Sequence, residues 1–255
     1  MSQVGGKWNV SSDEPYESPW MHISGMVIKG VTYTRTSFFG ALVLLKFSTA
    51  LLFGAIDVLN VSFSERGNDE GKSMRLGILF AIPGIGCFVG PIVANRFTNM
   101  RKPESIQLAC VFSLALTVFG LLMMGLFRQI WLIGLFTGIR AMGSAIVWIN
   151  SSLLLQKFCE PDMFGRLTSI EYALAVLGEA ASALGAGILQ DLGWDAEEVC
   201  LLLSALGTFL ASIWAFYHFT GCGAASYREE PKVATENISE FGTLPDTEGS
   251  SLLGL

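Results

Sequence analysis

Charged residues are scarce in this chain of 255 residues. Only 15% are Asp, Glu, Lys or Arg, whereas 51% are hydrophobic and the mean hydropathy is +0.52. A soluble domain carries about 25% charged residues. The few charges also cluster between long apolar runs. This composition excludes an ordinary soluble domain and predicts a protein of the membrane.

The motifs of common soluble enzymes and cofactor sites are absent as well. The sequence has no P-loop, no Rossmann glycine pattern and no HExxH motif, and its five cysteines form no CxxC pair. We therefore expect no enzyme activity, no cofactor, no metal site and no nucleic-acid partner. The polar stretch 1–20 has no apolar core, so we expect no secretory signal peptide in it.

Six apolar segments are each long enough to span a bilayer, which takes about 20 residues. They predict an all-α polytopic membrane protein, a bundle of six transmembrane helices within 38–220. The segments are 38–63, 76–97, 105–127, 130–154, 166–189 and 197–219. The flanking stretches are polar. We expect a cytoplasmic lead-in over 1–37 and a disordered cytoplasmic tail over 221–255.

The positions of Lys and Arg predict the orientation of the spans, since cytoplasmic ends carry an excess of both. With both termini in the cytoplasm, nine such residues flank the spans inside and four outside. The inside set is Lys29, Arg35, Arg96, Arg101, Lys102, Lys157, Arg166, Arg228 and Lys232, and the outside set is Arg66, Lys72, Arg75 and Arg128. We therefore expect a multi-pass protein with both termini cytoplasmic.

The second span contains "AIPGIGCFVGPIVANRF" at 81–97 and is rich in glycine and proline. These residues disfavour helices in water. In membranes they are tolerated, and small residues let helices approach closely. Gly86 and Gly90 form one GxxxG pair, and Gly134 and Gly138 form another in the fourth span. The pattern predicts a kinked second helix packed closely on a partner.

A glycine-then-basic loop follows this span. It contains Gly90, Asn95 and Arg96, and then Arg101 and Lys102. The loop resembles the Gly-x-x-x-Asp-Arg-x-Gly-Arg-Arg signature that major facilitator superfamily transporters carry after the second helix of each half. Here the spacing is one residue longer, Asn95 lies near the position of the acid, and the second glycine is missing.

A second stretch, "PDMFGRL" at 161–167, contains Pro161, Gly165 and Arg166. It resembles the cytoplasmic Pro-x-x-x-Gly-Arg turn before the fifth helix of a half in the same superfamily. The ending of span five, "GAGILQDLG", and the lead-in, which looks like the central linker of a twelve-helix transporter, are also similar.

The resemblance covers about 1–220 and implies the C-terminal six-helix half of such a transporter. The expected function is secondary active transport of a small molecule by alternating access. In such transporters the substrate binds between two six-helix bundles, and one bundle forms only one wall of that site. We therefore expect a second half as partner: a missing N-terminal half, a partner chain or a second copy. The alternative is a membrane scaffold or regulatory partner that keeps the fold without transport.

Five ionisable residues fall within the spans: Lys46, Asp57, Arg140, Glu171 and Glu179. Each costs about 2.5–3.5 kcal/mol at the centre of a membrane helix. We therefore expect them to face a cavity or one another. The resemblance implies that spans one and four line the cavity and that span five lies at the moving interface.

The candidate residues for substrate contact or proton coupling are Asp57, Asn60, Arg140, Trp148, Asn150 and Glu179. Asp57 and Asn60 are three residues apart, which predicts one shared helix face. Glu179 or Asp57 could exchange a proton, because burial disfavours a charged carboxylate.

Three alternatives remain open for the other buried charges. Arg140 could hold an anionic substrate by bidentate contact. It could instead pair with Glu179 and only fix the packing of the helices. Lys46 and Glu171 could extend to the inner membrane surface, as long charged side chains do near helix ends.

Overall fold

The computed structural model of the chain describes residues 38–66, 71–99, 102–159 and 161–220. The predicted lead-in 1–37, the predicted tail 221–255 and Arg101 of the loop motif lie outside the described residues.

Six helices form the described part of the chain, as the six apolar segments predict. They are α1 Phe38–Ser64, α2 Lys72–Phe97, α3 Pro103–Leu126, α4 Ile130–Phe158, α5 Pro161–Asp191 and α6 Ala196–Phe219. Each is long and apolar enough to cross a membrane. A helix satisfies its backbone hydrogen bonds within one segment, which hydrocarbon requires. The predicted six-helix membrane bundle is confirmed, and it indicates a multi-pass integral membrane protein.

One local prediction about the chain between helices is wrong. Residues 161–167, predicted as a turn, form the first two turns of α5. Pro161 begins that helix, where its missing N–H would have no helical partner anyway. The second helix, α2, continues through both Pro83 and Pro91, and its predicted kink stays a prediction.

The helices α1 and α4 lie at the centre of the bundle. In α1, 67% of the most apolar window is buried, against 17% in α2 and 22% in α5. The main packed pairs are α1–α5, α2–α4, α3–α4 and α3–α6, with further contacts of α1 to α4, α2 and α6. Suppose that α1, α2 and α3 exchange places with α4, α5 and α6, in that order. The pair α1–α5 then becomes α4–α2, and the pair α1–α6 becomes α4–α3. The pairs α1–α5 and α2–α4 correspond under this exchange, whereas α3–α4 packs far more extensively than its counterpart α1–α6. We call 38–126 and 130–219 the two three-helix repeats.

The two GxxxG pairs face each other where α2 crosses α4. A Cβ at Gly86 would overlap the carbonyl oxygen of Gly138, and Gly90 contacts the α4 backbone. Ile82 of α2 covers both Gly134 and Gly138. The predicted close packing of these glycines is confirmed.

One end of the bundle is held by charges. Arg66, just after α1, makes a bidentate contact with the carboxylate of Glu197 at the start of α6. Arg128, just before α4, has its Nε 3.6 Å from the same carboxylate. We call this the Glu197 end. It is the outer end in the predicted orientation, which stays a prediction.

The opposite end, which we call the Asn99 end, is held by apolar side chains. Phe39, Leu42 and Val43 of α1 cluster there with residues from α3, α4 and α5. The helices thus alternate in direction, with their connections at the two ends in turn.

The glycine contact between α2 and α4 yields a stability prediction. For Gly86→Ala we expect the free energy of unfolding in detergent to fall by about 1–3 kcal/mol, because the added methyl overlaps the backbone of α4. SDS titration followed by circular dichroism measures it. Gly84→Ala is the matched control, since no atom lies within 4 Å of a Cβ there. Equal losses in both variants would contradict the packing.

Candidate functional site

A cleft of about 410 Å³ opens at mid-helix depth on one face of the bundle. Clefts of about 300–1,000 Å³ are typical of small-molecule sites. It is lined by Phe53, Cys87, Ser144, Ala145, Trp148, Ile149 and Glu179, which come from α1, α2, α4 and α5. Two further clefts of similar size, beside Arg75 and beside Trp194, lie at the Glu197 end.

The α4 wall of the cleft belongs to a stripe of side chains that recur every four residues. The stripe contains Arg140, Ser144, Trp148 and Ser152. Residues four apart lie on the same side of a helix. The sequence analysis identified Arg140 and Trp148, and this spacing was the signal that would also have identified Ser144 and Ser152.

The guanidinium of Arg140 is buried behind the cleft wall. Arg140 is 1% exposed, and its Nε and Nη1 have no hydrogen-bond partner in the described part of the chain. Its Cζ lies 4.7 Å from the ring centroid of Phe53. Asp57 acts on it electrostatically. Among the described residues no ion pair joins Arg140 to Asp57 or Glu179, so the proposed Arg140–Glu179 pair is wrong.

Two carboxylates stand on the open face. Glu179 is half-buried and borders the cleft, and Asp57 of α1 is exposed. The charge of Asp57 acts on Glu179. The backbone of Glu179 touches Gly54 so closely that a Cβ would not fit there. Of the two carboxylates, Glu179 borders the cleft and Asp57 is not among the residues that line it. The role of both residues stays a prediction.

The two candidate asparagines do not reach the cleft. Asn60 is buried with both amide atoms unpartnered, whereas Asp57 is exposed, so the shared helix face does not give them a shared environment. Asn150 is 4% exposed and its Nδ2 has no partner. It follows Trp148 by two residues and therefore lies about 200° around α4.

Lys46 and Glu171 form an ion pair inside the bundle, and the prediction that they extend to the membrane surface is wrong. The Lys46 Nζ lies 2.8 Å from Glu171 Oε1 and donates to Ser152 Oγ at 2.8 Å. The rings of Trp148 and Tyr172 have their centroids 4.8 and 5.6 Å from Nζ. Both charged side chains are 1% exposed, because they meet where α1 packs on α5. We call these five residues the Lys46 site.

A hydroxyl of α5 binds the backbone of α1 near the cleft. Ser182 Oγ accepts a hydrogen bond from the Ala55 N–H at 3.1 Å and donates one to the Leu51 carbonyl. In a regular helix these two groups form one rung, N–H of residue i to carbonyl of residue i−4. Ser182 therefore bonds both ends of one rung of α1, next to Gly54.

The residues of the loop motifs lie away from the cleft. Asn95 and Arg96 are exposed in the last turn of α2, and Pro161 and Gly165 are exposed in the first turns of α5. Arg166 is half-buried, with its Nη1 3.7 Å from Met163 Sδ. All are near the Asn99 end.

No family model, curated protein sequence or solved structure matches the chain. Its resemblance to the major facilitator superfamily therefore remains a prediction from the sequence motifs.

The Lys46 site yields a double-variant prediction. Lys46→Met should lower the free energy of unfolding by about 3–5 kcal/mol, because it leaves a carboxylate buried without its partner. Lys46→Met with Glu171→Gln should recover most of this loss. Chemical unfolding of the four proteins gives the coupling energy.

Lys102→Met, at an exposed lysine before α3, is the control and should change stability by less than about 0.5 kcal/mol. A double variant as unstable as the sum of the single variants would contradict a direct interaction between Lys46 and Glu171.

Proposed function

We propose that this chain moves a small molecule across a membrane by alternating access, as one six-helix half of a secondary active transporter similar to the major facilitator superfamily. The observation that carries the proposal is the cleft at mid-helix depth. Its walls are mostly apolar, it borders the carboxylate of Glu179, and it is lined by helices of both repeats.

The order of packing supports this proposal. Many transporters consist of repeats with inverted topology, with the substrate site between them near the bilayer midplane. Three helices are an odd number, so the second repeat enters the membrane from the opposite side. The exchange of α1–α5 for α4–α2 fits such a pair of repeats.

The exposed face supports a second wall as partner. Asp57 lies about 10 Å along α1 from its end at Ser64, on the surface of an apolar span. A carboxylate facing lipid there would cost up to about 2.5–3.5 kcal/mol. Water or protein must therefore meet this face in the membrane. We propose a second six-helix bundle, which would close the cleft, and lipid around the apolar surfaces of both bundles.

Proton coupling at Glu179 and Asp57 would drive the cycle. Two nearby carboxylates repel each other when both are charged, so one proton shared by the pair relieves this repulsion. Protonation also removes the cost of enclosing a charge when the cleft is shut to water. If one conformation of the bundle binds the proton more tightly than the other, protonation increases the population of that conformation.

Cys87 offers a test that needs no knowledge of the substrate, because it lines the cleft and is exposed. The test uses a full-length variant in which Cys110, Cys159, Cys200 and Cys222 are replaced. A membrane-impermeant maleimide is added to sealed native vesicles of either orientation. We expect Cys87 to react in both, because each molecule opens the cleft to each side in turn. Reaction in one orientation alone at every pH would contradict alternating access and favour the scaffold alternative.

Glu179→Gln tests the coupling in the same vesicles. The ratio of Cys87 labelling rates in the two orientations should change with pH in the parent, by up to about tenfold per pH unit for one proton. In Glu179→Gln we expect the ratio to be nearly constant. Asp191→Asn, an exposed carboxylate at the end of the same helix, should keep the pH dependence of the parent. A normal pH dependence in Glu179→Gln would exclude Glu179 from the coupling.

A further inference from the structure

Two buried cations of this bundle differ in how far their donors are satisfied. The ammonium of Lys46 has a carboxylate, a hydroxyl and two aromatic rings around it. The guanidinium of Arg140 has one ring, and its Nε and Nη1 have no hydrogen-bond partner in the part of the chain that is described. An unsatisfied buried charged donor is costly. The Nε and Nη1 donors of Arg140 therefore need a hydrogen-bond acceptor that the described residues do not provide.

The position of Arg140 links these donors to the cleft. The Phe53 ring that stacks on the guanidinium also lines the cleft, and Ser144, one turn further along α4, lines it too. Cys87, on the α2 wall, is close enough to interact electrostatically with Arg140. The guanidinium therefore lies directly behind the wall formed by Phe53.

The chemistry of the site selects a class of ligand. Phe53 lies against the guanidinium, with Arg140 Cζ 4.7 Å from the ring centroid. The N–H donors of a guanidinium lie at its planar edge, where a carboxylate can accept two parallel hydrogen bonds. Among the remaining lining residues, Ala145, Trp148 and Ile149 are largely apolar, and Glu179 carries a carboxylate. We propose that Arg140 binds the carboxylate of an organic acid whose apolar body occupies the cleft, in a conformation in which the Phe53 ring has moved aside and no longer separates the guanidinium from the cleft.

This inference rests on the proposed function in treating the cleft as the substrate site, and it adds the class of substrate. The nearby carboxylates do not take the place of the ligand, because neither Asp57 nor Glu179 forms an ion pair with Arg140. Their charges do repel an anion. Neither carboxylate is within ion-pair distance of Arg140, so both leave its donors open to direct hydrogen bonds from a bound carboxylate.

Three probes of similar shape test the proposal on the purified full-length protein. Benzoate carries a carboxylate, benzamide is neutral, and benzylamine is a cation. A ligand that binds the native state at ten times its dissociation constant lowers the unfolding equilibrium constant about elevenfold. We expect benzoate to raise the midpoint of thermal unfolding, and benzamide and benzylamine to leave it almost unchanged. Equal shifts with all three probes, or none with benzoate, would overturn the proposal.

Variants assign the benzoate effect to one cation. Arg140→Gln should abolish the shift, and Arg140→Lys should reduce it, because lysine lacks the planar pair of donors. Removal of the other buried pair with Lys46→Met and Glu171→Gln should preserve it. A shift that persists in Arg140→Gln, or one that vanishes only in the Lys46 double variant, would overturn the assignment.

The test does not depend on Arg140→Gln being easy to express or fold. Arg140→Gln removes a buried charge that has no partner, so we expect it to fold at least as well as the parent. If it does not fold, the comparison of the three probes on the parent protein still decides the question.

The binding test is independent of transport. Benzoate binding that depends on Arg140, together with one-sided labelling of Cys87, would support the carboxylate site and reject the transport proposal. Two-sided labelling without such binding would reject the carboxylate site alone.

Discussion

The absence of water in the bilayer core is the constraint on which the rest of this structure depends. A charge or hydrogen-bonding group inside a span must find its partner in the protein, and helices must approach closely to provide one. Glycines permit that approach at Gly54 against α5 and at Gly86 against α4. The ion pair between Lys46 and Glu171, and the bonds of Ser182 to the backbone of α1, occur where α1 and α5 approach in this way.

The sequence was sufficient to predict features that depend on local composition. The six spans follow from apolar length, and the close packing of Gly86 and Gly138 follows from a spacing visible within each helix. That these glycines pack on each other is shown by the structure alone. The pairing of Lys46 with Glu171 was missed because it depends on the register between α1 and α5. That register is set by contacts between residues more than a hundred positions apart, such as Gly54 with Glu179. For the same reason the sequence analysis considered an ion pair between Arg140 and Glu179, which these two residues do not form.

The two buried cations show why a count of intramembrane charges says little about function. Lys46 and Arg140 lie in the same bundle, and each costs free energy to insert. Lys46 is paired with neighbours on two other helices, α4 and α5, which is the arrangement expected of a residue that holds helices together. Arg140, beside the cleft, has two N–H donors that bond to no acceptor in the described part of the chain. The difference lies in the surroundings of the two residues, and it separates a structural charge from a candidate binding group.

The bonds of Ser182 restrict how the bundle can deform. Because one hydroxyl bonds both the Ala55 N–H and the Leu51 carbonyl, a slide of α1 by one residue along α5, about 1.5 Å, would break both bonds together. These bonds hold α1 and α5 in one register, and the glycine contacts hold α2 closely against α4. The cleft is lined by residues from both helix pairs. We therefore expect the width of the cleft to depend on the angle between these two helix pairs more than on bending within any one helix.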